Sequence, residues 1–505
     1  MTTDVIVIGA GPTGLTLACS LRGFDVRVRV IDKAAGPAVT SRANFVHARG
    51  SEVLDRLGAL GDLPERSKRS MQITSYLGDR PVMKLRFGDP GQRTAAPPMV
   101  ISQAAVEANL RERFAALGGR IEWGTELTGL SQDADAVVAE LSTGETIRSS
   151  WLVGADGTSS STRKLTGITA PGVTLSERFL LADLRLDWDL DRSGTSGWLH
   201  PEGMLGAMPM PHPDHDQQWR LIAYDPDTGS SARLTEAELL ERILTILPER
   251  TGDDRIRILD TTWLSEFIIR RRLADRYRDG RVFLAGDSAH AHAPFGGQGM
   301  LTGIGDAENL GWKLGMVVRG DAEPELLDSY QAERRPLAED VLRGTSTVTK
   351  IDIAEHPIAR FLRDKVVVKV LNVGWIQRWV TYTTSQLWVS YRRGPLADGT
   401  ILGSKPRPGD RVPDQTCRNA DQDQVRLYEQ LGDHWVLLLA GHNESMINVA
   451  EKQLGARLHR LYPIDTAQST MLIRPDGHLA WRGANADDLD RWLASALQVG
   501  SVGRR

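Results

Sequence analysis

The chain has 505 residues, of which 41% are hydrophobic and 25% charged, with a formal net charge of −4. That length exceeds a single hydrophobic core and calls for two or three domains. The near-neutral balance excludes a binder of nucleic acid that works by phosphate neutralisation. Two cysteines, Cys19 and Cys417, exclude a disulfide framework and a thiolate metal site, and they fit a reducing, cytoplasmic setting.

In chain order, Asp4 to Ile8 reads as a buried strand and Gly14 to Arg22 as a helix, and Val26-Arg27-Val28-Arg29-Val30-Ile31 alternates as a second strand. Strand, helix and strand open a doubly wound α/β sheet. The turn between the first two is Gly9-Ala10-Gly11-Pro12-Thr13-Gly14. Gly9 permits the tight turn, Gly11 lets bare backbone approach a pyrophosphate, and Gly14 lets helix and strand pack closely. Helix N-terminal N–H groups then attract the phosphates. Asp32 follows Gly14 by 18 residues, the distance at which a carboxylate reaches a ribose hydroxyl. This loop by itself leaves NAD and FAD both open.

Helical patterns follow at Ser51 to Leu60 and Gln103 to Leu117, and strand patterns at Ile121-Glu122-Trp123, Ala136 to Leu141 and Trp151-Leu152-Val153. The last feeds a second glycine turn, Gly154-Ala155-Asp156-Gly157. Residues 175–270 change character, with Trp188, Trp198, Trp219 and Trp263 and short alternating runs, and read as an antiparallel sheet. The tryptophans are expected in its core, and Arg270-Arg271-Arg272 as a solvated or bridging cluster. Arg281 to Ala285 returns as a strand to the first domain, which is therefore discontinuous.

The third glycine element, Gly286-Asp287 through Pro294, Gly297, Gly299, Met300 and Leu301, is the most informative. A strand ends in a short carboxylate that can accept hydrogen bonds from a ribityl chain, and bare glycines then precede a helix expected from about Thr302. Three such turns over about 300 residues point to one long ligand touched at several places, with FAD the leading candidate. His290 and His292 read as structural groups. Helices are expected from Gly303 to Val318 and from Glu325 to Leu342. Val366 to Val380 is interrupted by polar residues and falls short of the roughly 20 apolar residues that span a bilayer. A Pro/Gly-rich linker over 394–413 leads to a small α/β unit with strands at Trp435 to Ala440 and from Met471.

Taken together, these motifs resemble the single-component FAD-dependent aromatic hydroxylases built like p-hydroxybenzoate hydroxylase. The resemblance rests on the three turns, on Ser41-Arg42-Ala43 with His47, Arg49 and Glu52, on Gln103, on Arg163, and on Asp306-Ala307, Asn309-Leu310 and Trp312-Lys313-Leu314. Tyr391, Pro395-Leu396, Gly409-Asp410-Arg411 and Arg474-Pro475-Asp476-Gly477 resemble the polyketide-tailoring subgroup with a C-terminal thioredoxin-like domain. No Cys-x-x-Cys is present, so a structural or dimer-supporting role is expected of that domain.

The resemblance implies an α/β fold with an FAD domain over 1–174 and 271–345, segment 70–100 leaning into a substrate lobe over 175–270, a helical connector over 346–394 and a thioredoxin-like domain over 395–505. It implies hydroxylation of an aromatic, polycyclic polyketide substrate with O2 and NADPH or NADH, through oxygen addition at the flavin C4a. A monomer or homodimer is expected, with no membrane partner, since no apolar run spans a bilayer, and no metal, since no carboxylate or cysteine completes a ligand set with His290 and His292. Cofactor contacts are expected from Gly9, Gly11, Pro12, Thr13, Gly14, Asp32, Lys33, Arg42, Gln103, Asp156, Asp287, Pro294, Gly297, Gly299, Met300 and Leu301. Arg42 is the expected phosphate and donor contact. Leu301 stands where the family has asparagine. Two other outcomes fit the same scaffold: Baeyer–Villiger-type oxygenation beside a ketone, and a flavin reductase or redox protein that oxygenates nothing.

Overall fold

The structure, a computed structural model, describes residues 3–39, 43–68, 72–86, 94, 96–212, 214–226, 233–291, 297–353, 368–397, 405–464 and 469–497. Thr3–Ile8 is the central strand of the first sheet, parallel to Val28–Asp32 on one side and to Thr146–Gly154 on the other. Val282–Leu284 adds parallel to Thr146–Gly154, so residues from the far side of the second sheet complete the first. The strands Val5 to Ile8 and Leu152 to Gly154 are buried, as parallel strands covered on both faces must be. Helices Pro12–Gly23 and Gly299–Arg319 cover one face together and share a core containing Leu15, Leu17, Ile304 and Leu310.

The second sheet has eight strands and includes Gln72–Leu77 and Arg80–Arg86, the former pairing parallel with Thr195–His200. Its long strands Gly172–Asp187 and Arg257–Leu273 run antiparallel. Alternation splits its two faces. Leu180, Ala182, Leu184, Trp198, Trp219 and Leu221 pack under the helix Glu236–Thr251, with Trp188 stacked on Trp198 at 5.6 Å. Three of the four expected core tryptophans are there, while Trp263 lies near Arg220 on the opposite face. The helix itself was not expected from the sequence, although Thr235 and Glu238 form its capping box.

The Gly299–Arg319 helix starts three residues before the expected Thr302, because Gln298 rather than a later residue occupies its N-cap position. Asp328–Ile353 extends beyond the expected Leu342. The apolar run near 370–380 is two helices, Val368–Leu371 and Gly374–Ser385, with Trp375 and Trp379 exposed. Among the described residues no helix is long and apolar enough to cross a membrane.

In the C-terminal unit, Trp435–Leu438 runs parallel to Leu458–Pro463 across the helix Glu444–Leu454, and Thr470–Ile473 and Leu479–Gly483 add as an antiparallel pair. This β-α-β followed by a hairpin and the helix Ala486–Leu497 is the thioredoxin-like arrangement. Both cysteines are buried and free; burial pushes the Cys19 thiol up to about 12 and that of Cys417 to about 11.

Candidate active site

Three turns meet at the carboxyl ends of three neighbouring strands of the first sheet. Gly9 has φ +106°, and a side chain there would bring its Cβ within 2.4 Å of the Ala155 carbonyl oxygen. At Gly14 a Cβ would lie 1.9 Å from the Gly9 oxygen, whereas at Gly11 nothing lies within 4 Å. Two glycines thus permit close packing and the third faces open space. Gly11 is the N-cap of the Pro12–Gly23 helix and makes no side-chain cap, so the first-turn N–H groups point into that space without an intrahelical acceptor.

Asp32 braces the same turn. Its Oδ2 accepts from the Ala10 N–H at 2.7 Å and its Oδ1 from the Ala34 N–H at 2.8 Å, leaving each oxygen further acceptor capacity. Lys33 beside it is exposed. In the 154–157 turn the Asp156 carboxylate turns inward. It accepts from the Ser160 hydroxyl (2.5 Å) and from the Thr162 N–H (2.9 Å), fixing the start of the helix Ser161–Leu165. Arg163 donates to the carbonyls of Ser288 (2.8 Å) and Thr158 (2.9 Å), and so staples the second turn to the third.

Gly286 has φ +62°, and a Cβ on it would meet the Thr13 hydroxyl at 2.5 Å. Its N–H donates to Asp306 Oδ2 at 3.0 Å. His290 Nε2 approaches the same carboxylate at 2.6 Å, and Arg334 Nε donates to Oδ1 at 2.7 Å. Burial raises the Asp306 pKa, but Arg334 and His290 outweigh it and hold the carboxyl below its ordinary range. His290 is thereby a structural group under the turn, as expected. Asp287 differs from these neighbours: it is exposed, and among the described residues its carboxylate has no protein partner.

Gly297, at φ +62°, lies against Phe45, where a Cβ would meet the Phe45 Cβ at 2.9 Å. Gly299, Met300 and Leu301 form the first turn of the following helix, and Leu301 is buried against Gly50. Gln386, at the end of the connector helix, donates to Gln298 Oε1 (3.3 Å) and to Thr302 Oγ1 (3.0 Å) and ties the connector to this turn. Gln103 stands at the start of the helix Gln103–Ala116, with its N–H on the Ala43 carbonyl and its side-chain amide donating to Glu107 at 2.8 Å. Arg42, Pro294 and His292 lie outside the described residues.

Farther along the Gly299–Arg319 helix a buried ion-pair lattice joins it to the C-terminal unit, which sequence reasoning missed. Arg49 bridges Glu52 (3.3 Å), Glu308 (3.1 Å) and the Asp476 carbonyl (2.7 Å), and Arg56 also pairs with Glu308 and Arg411 with Glu52. Arg474 pairs with Glu333 (2.8 Å) and with Asp476, Lys313 donates to Glu333 (2.8 Å), and Trp312 Nε1 donates to Asp476 (3.2 Å). Burial pulls the Lys313 ammonium down to about 8. Burial raises the Glu333 carboxyl, yet Arg474 and Lys313 outweigh it and hold it at about 2. Burial holds His478, on the Asp476 carboxylate at 3.2 Å, at about 4.

The open space at Gly11, the uncapped helix start and the unpartnered Asp287 suit a ligand with a pyrophosphate and a polyhydroxyl chain, as FAD has. Among the described residues no group of three His, Cys, Asp or Glu side chains could hold a metal. A doubly wound nucleotide domain with an inserted sheet and this cradle is that of a flavin-binding protein. Residues 2–345 match the FAD binding domain family, and residues 405–499 match the aromatic-ring hydroxylase C-terminal family. The chain is 35% identical over 519 aligned positions to 6-methylpretetramide 4-monooxygenase from Streptomyces rimosus, covering 95% of this chain and 90% of that protein. It superposes on the anhydrotetracycline hydroxylase of Streptomyces rimosus with a TM-score of 0.81 at 32% identity, over 98% and 99% of the two chains. It superposes on aklavinone-11 hydroxylase, solved with FAD and aklavinone, with a TM-score of 0.79 at 25% identity, over 98% and 99%. The chain belongs to the FAD-dependent aromatic-ring monooxygenases.

Proposed function

We propose that this enzyme hydroxylates a polycyclic aromatic substrate of the polyketide type, taking electrons from NADPH, or less readily NADH, and oxygen from O2. The observation that carries this reading is the convergence of three glycine turns beside Asp287, whose carboxylate has no partner among the described residues, in a family whose relatives are named as 6-methylpretetramide, anhydrotetracycline and aklavinone oxygenases. When bound, FAD supplies the electron transfer and oxygen activation. The protein binds, orients and shields.

In this reading Gly9, Gly11, Pro12, Thr13 and Gly14 form the pyrophosphate cradle, while Asp32 and Lys33 face the adenosine. Gln103 and Asp287 hold the ribityl chain. Pro294, Gly297, Gly299, Met300 and Leu301 bring backbone to the ring edge, where the start of the Gly299–Arg319 helix adds partial positive charge. Arg42 meets phosphate and the nicotinamide donor, and Asp156 with Arg163 fixes the turn behind them. Leu301 contributes apolar packing where related chains offer an amide.

The test is donor oxidation by the FAD-loaded enzyme with hydroxylated polycyclic arenes under labelled O2. Substrate-stimulated donor consumption with matching label in a new ring hydroxyl is expected. Label in an ester or lactone would convert the assignment to Baeyer–Villiger oxygenation. Donor consumption with no labelled organic product would leave a reductase.

A further inference from the structure

Tyr391, the Gly409-Asp410-Arg411 segment and the Arg474-Pro475-Asp476-Gly477 turn stand out in the sequence, and folding brings all three to one place. The Tyr391 N–H donates to the Gly409 carbonyl at 2.8 Å, and Gly409 takes φ +90°. A Cβ on Gly409 would lie 2.4 Å from the Arg392 nitrogen and 2.6 Å from the Tyr391 carbonyl carbon, so only glycine lets the two segments approach this closely. The Ser390 hydroxyl donates to Asp410 Oδ1 at 2.6 Å and locks the same joint. Against the buried tyrosine ring, His478 packs with ring centres 4.3 Å apart, and the Arg474 guanidinium lies 5.1 Å from the ring centre. The C-terminal unit thus builds a socket that fixes Tyr391 by its backbone and by its ring.

The Tyr391 hydroxyl meets Arg334, a buried guanidinium completed in three directions. Nη1 donates to the hydroxyl at 3.0 Å, Nε to Asp306 Oδ1 at 2.7 Å and Nη2 to the Thr302 carbonyl at 2.9 Å. Gly305 lets the guanidinium come this near, since a Cβ there would lie 2.8 Å from Nη2. Asp306 and Thr302 both belong to the flavin side. Asp306 Oδ2 accepts from the Gly286 N–H at 3.0 Å, one residue before Asp287, and Thr302 closes the first turn of the Gly299–Arg319 helix. Slack at these positions is small: a Cβ on Gly286 or on Gly303 would meet the Thr13 hydroxyl, at 2.5 and 2.3 Å. The third glycine turn, the helix start and the first glycine loop are packed as one body, and a shift at Asp306 is felt at all three.

We propose that Tyr391 is a positioning residue for FAD: through the Tyr391 hydroxyl, Arg334 and Asp306, the C-terminal unit sets how the Gly286–Asp287 turn meets the cofactor, an inference that rests on the flavin-binding part of the proposed function. A planar guanidinium donates in fixed directions, so Arg334 cannot keep all three bonds once one partner moves. Removing the hydroxyl leaves Nη1 buried and unsatisfied, which costs more than the bond itself. The guanidinium then turns toward another acceptor at the expense of Asp306 or Thr302. The C-terminal unit, which has no Cys-x-x-Cys, contributes geometry in place of thiol chemistry.

The experiment is fluorescence titration of FAD onto full-length apoprotein, with urea unfolding of each apoprotein and visible circular dichroism of the bound flavin. Tyr391→Phe keeps the ring in its socket and removes only the hydroxyl. FAD affinity should fall about tenfold, the scale of one hydrogen bond to a charged group, and the flavin dichroism should change. In the Asp287→Ala background the same substitution should weaken FAD by about twofold at most, because both changes act through one turn. Ser390→Ala, which loosens the socket and touches no Arg334 bond, should weaken FAD about threefold. Arg457→Ala is the control: Arg457 joins the C-terminal unit to the first domain elsewhere, at the Gly23 carbonyl (2.9 Å) and Asp25 (2.6 Å). It should lower the urea midpoint yet leave FAD affinity within about twofold and the dichroism unchanged. Wild-type affinity in Tyr391→Phe, equal weakening by Arg457→Ala, or full additivity of Tyr391→Phe with Asp287→Ala overturns the relay. Should Tyr391→Phe not fold, Ser390→Ala decides by the same titration, and unchanged affinity there overturns it. A wild type that takes up no FAD overturns the flavin reading, and the relay with it.

Discussion

The two parts of the Gly299–Arg319 helix are equally rich in motif residues and do opposite things. Its first turn, with Gln298 and Gly299 at the start, carries little side-chain chemistry and lies beside an exposed carboxylate, Asp287, that no group among the described residues satisfies. Its middle presents Asp306, Glu308, Asn309, Trp312 and Lys313, every one of them paired: Asp306 with His290 and Arg334, Glu308 with Arg49 and Arg56, and the rest with Glu333 or Asp476. A residue left incomplete by its own chain is waiting for a ligand, while one completed by a distant segment is holding the fold. The C-terminal unit belongs to the second category, since Arg474, Asp476 and Arg411 supply charges that the nucleotide domain lacks.

That contrast is broken most strongly at the lattice. Arg474→Ala leaves Glu333 and Asp476 buried without their main cation, so a loss of about 3–5 kcal/mol in unfolding free energy is expected by denaturant titration. Loss below about 1 kcal/mol would show the lattice to be ornamental. Asp287→Ala should do the reverse. Unfolding stability of the apoprotein should stay within about 0.5 kcal/mol, because no protein contact is lost, while FAD affinity falls about tenfold or more. Urea unfolding of the apoprotein reads the first side of this prediction and flavin fluorescence titration the second.

Acid sharpens the comparison more gently. The folded-state pKa of His478, about 4, and that of Glu333, about 2, both lie below their ordinary values of 6.5 and 4.5. In each interval the unfolded chain binds more protons, so stability rises with pH and is lost on acidification. The His478 contribution is fully present above pH 6.5 and disappears as pH falls toward 4; the Glu333 contribution goes between 4.5 and 2. A shift of this size corresponds to roughly 3 kcal/mol for each group. His478→Gln should flatten the upper part of a stability-against-pH curve recorded by urea unfolding, and an unchanged curve would contradict the assignment.

Sequence made the nucleotide domain legible because each signal there is local. Gly9, Gly11 and Gly14 sit within six residues, and Asp32 closes the following strand. The helix Glu236–Thr251 escaped although Thr235 and Glu238 spell a cap, since the surrounding tryptophan runs have strand character. The lattice was invisible for a different reason: Arg49 and Asp476, or Glu52 and Arg411, meet only through tertiary folding, across more than 350 residues. Their motifs were visible, but the pairing was not. Leu301 shows the same limit, because only the structure reveals Gly50 as the hollow that receives it.

The most direct measurement is FAD binding to apoprotein of the wild type and of Gly14→Val, followed by flavin absorbance. At Gly14 any Cβ lies 1.9 Å from the Gly9 oxygen, so the substitution must displace the turn. Yellow wild-type enzyme, with at least about tenfold weaker FAD binding in the variant, is the predicted result. Equal flavin affinity in the two proteins, or a wild type that takes up no flavin, would contradict the placement of FAD on the three converging turns.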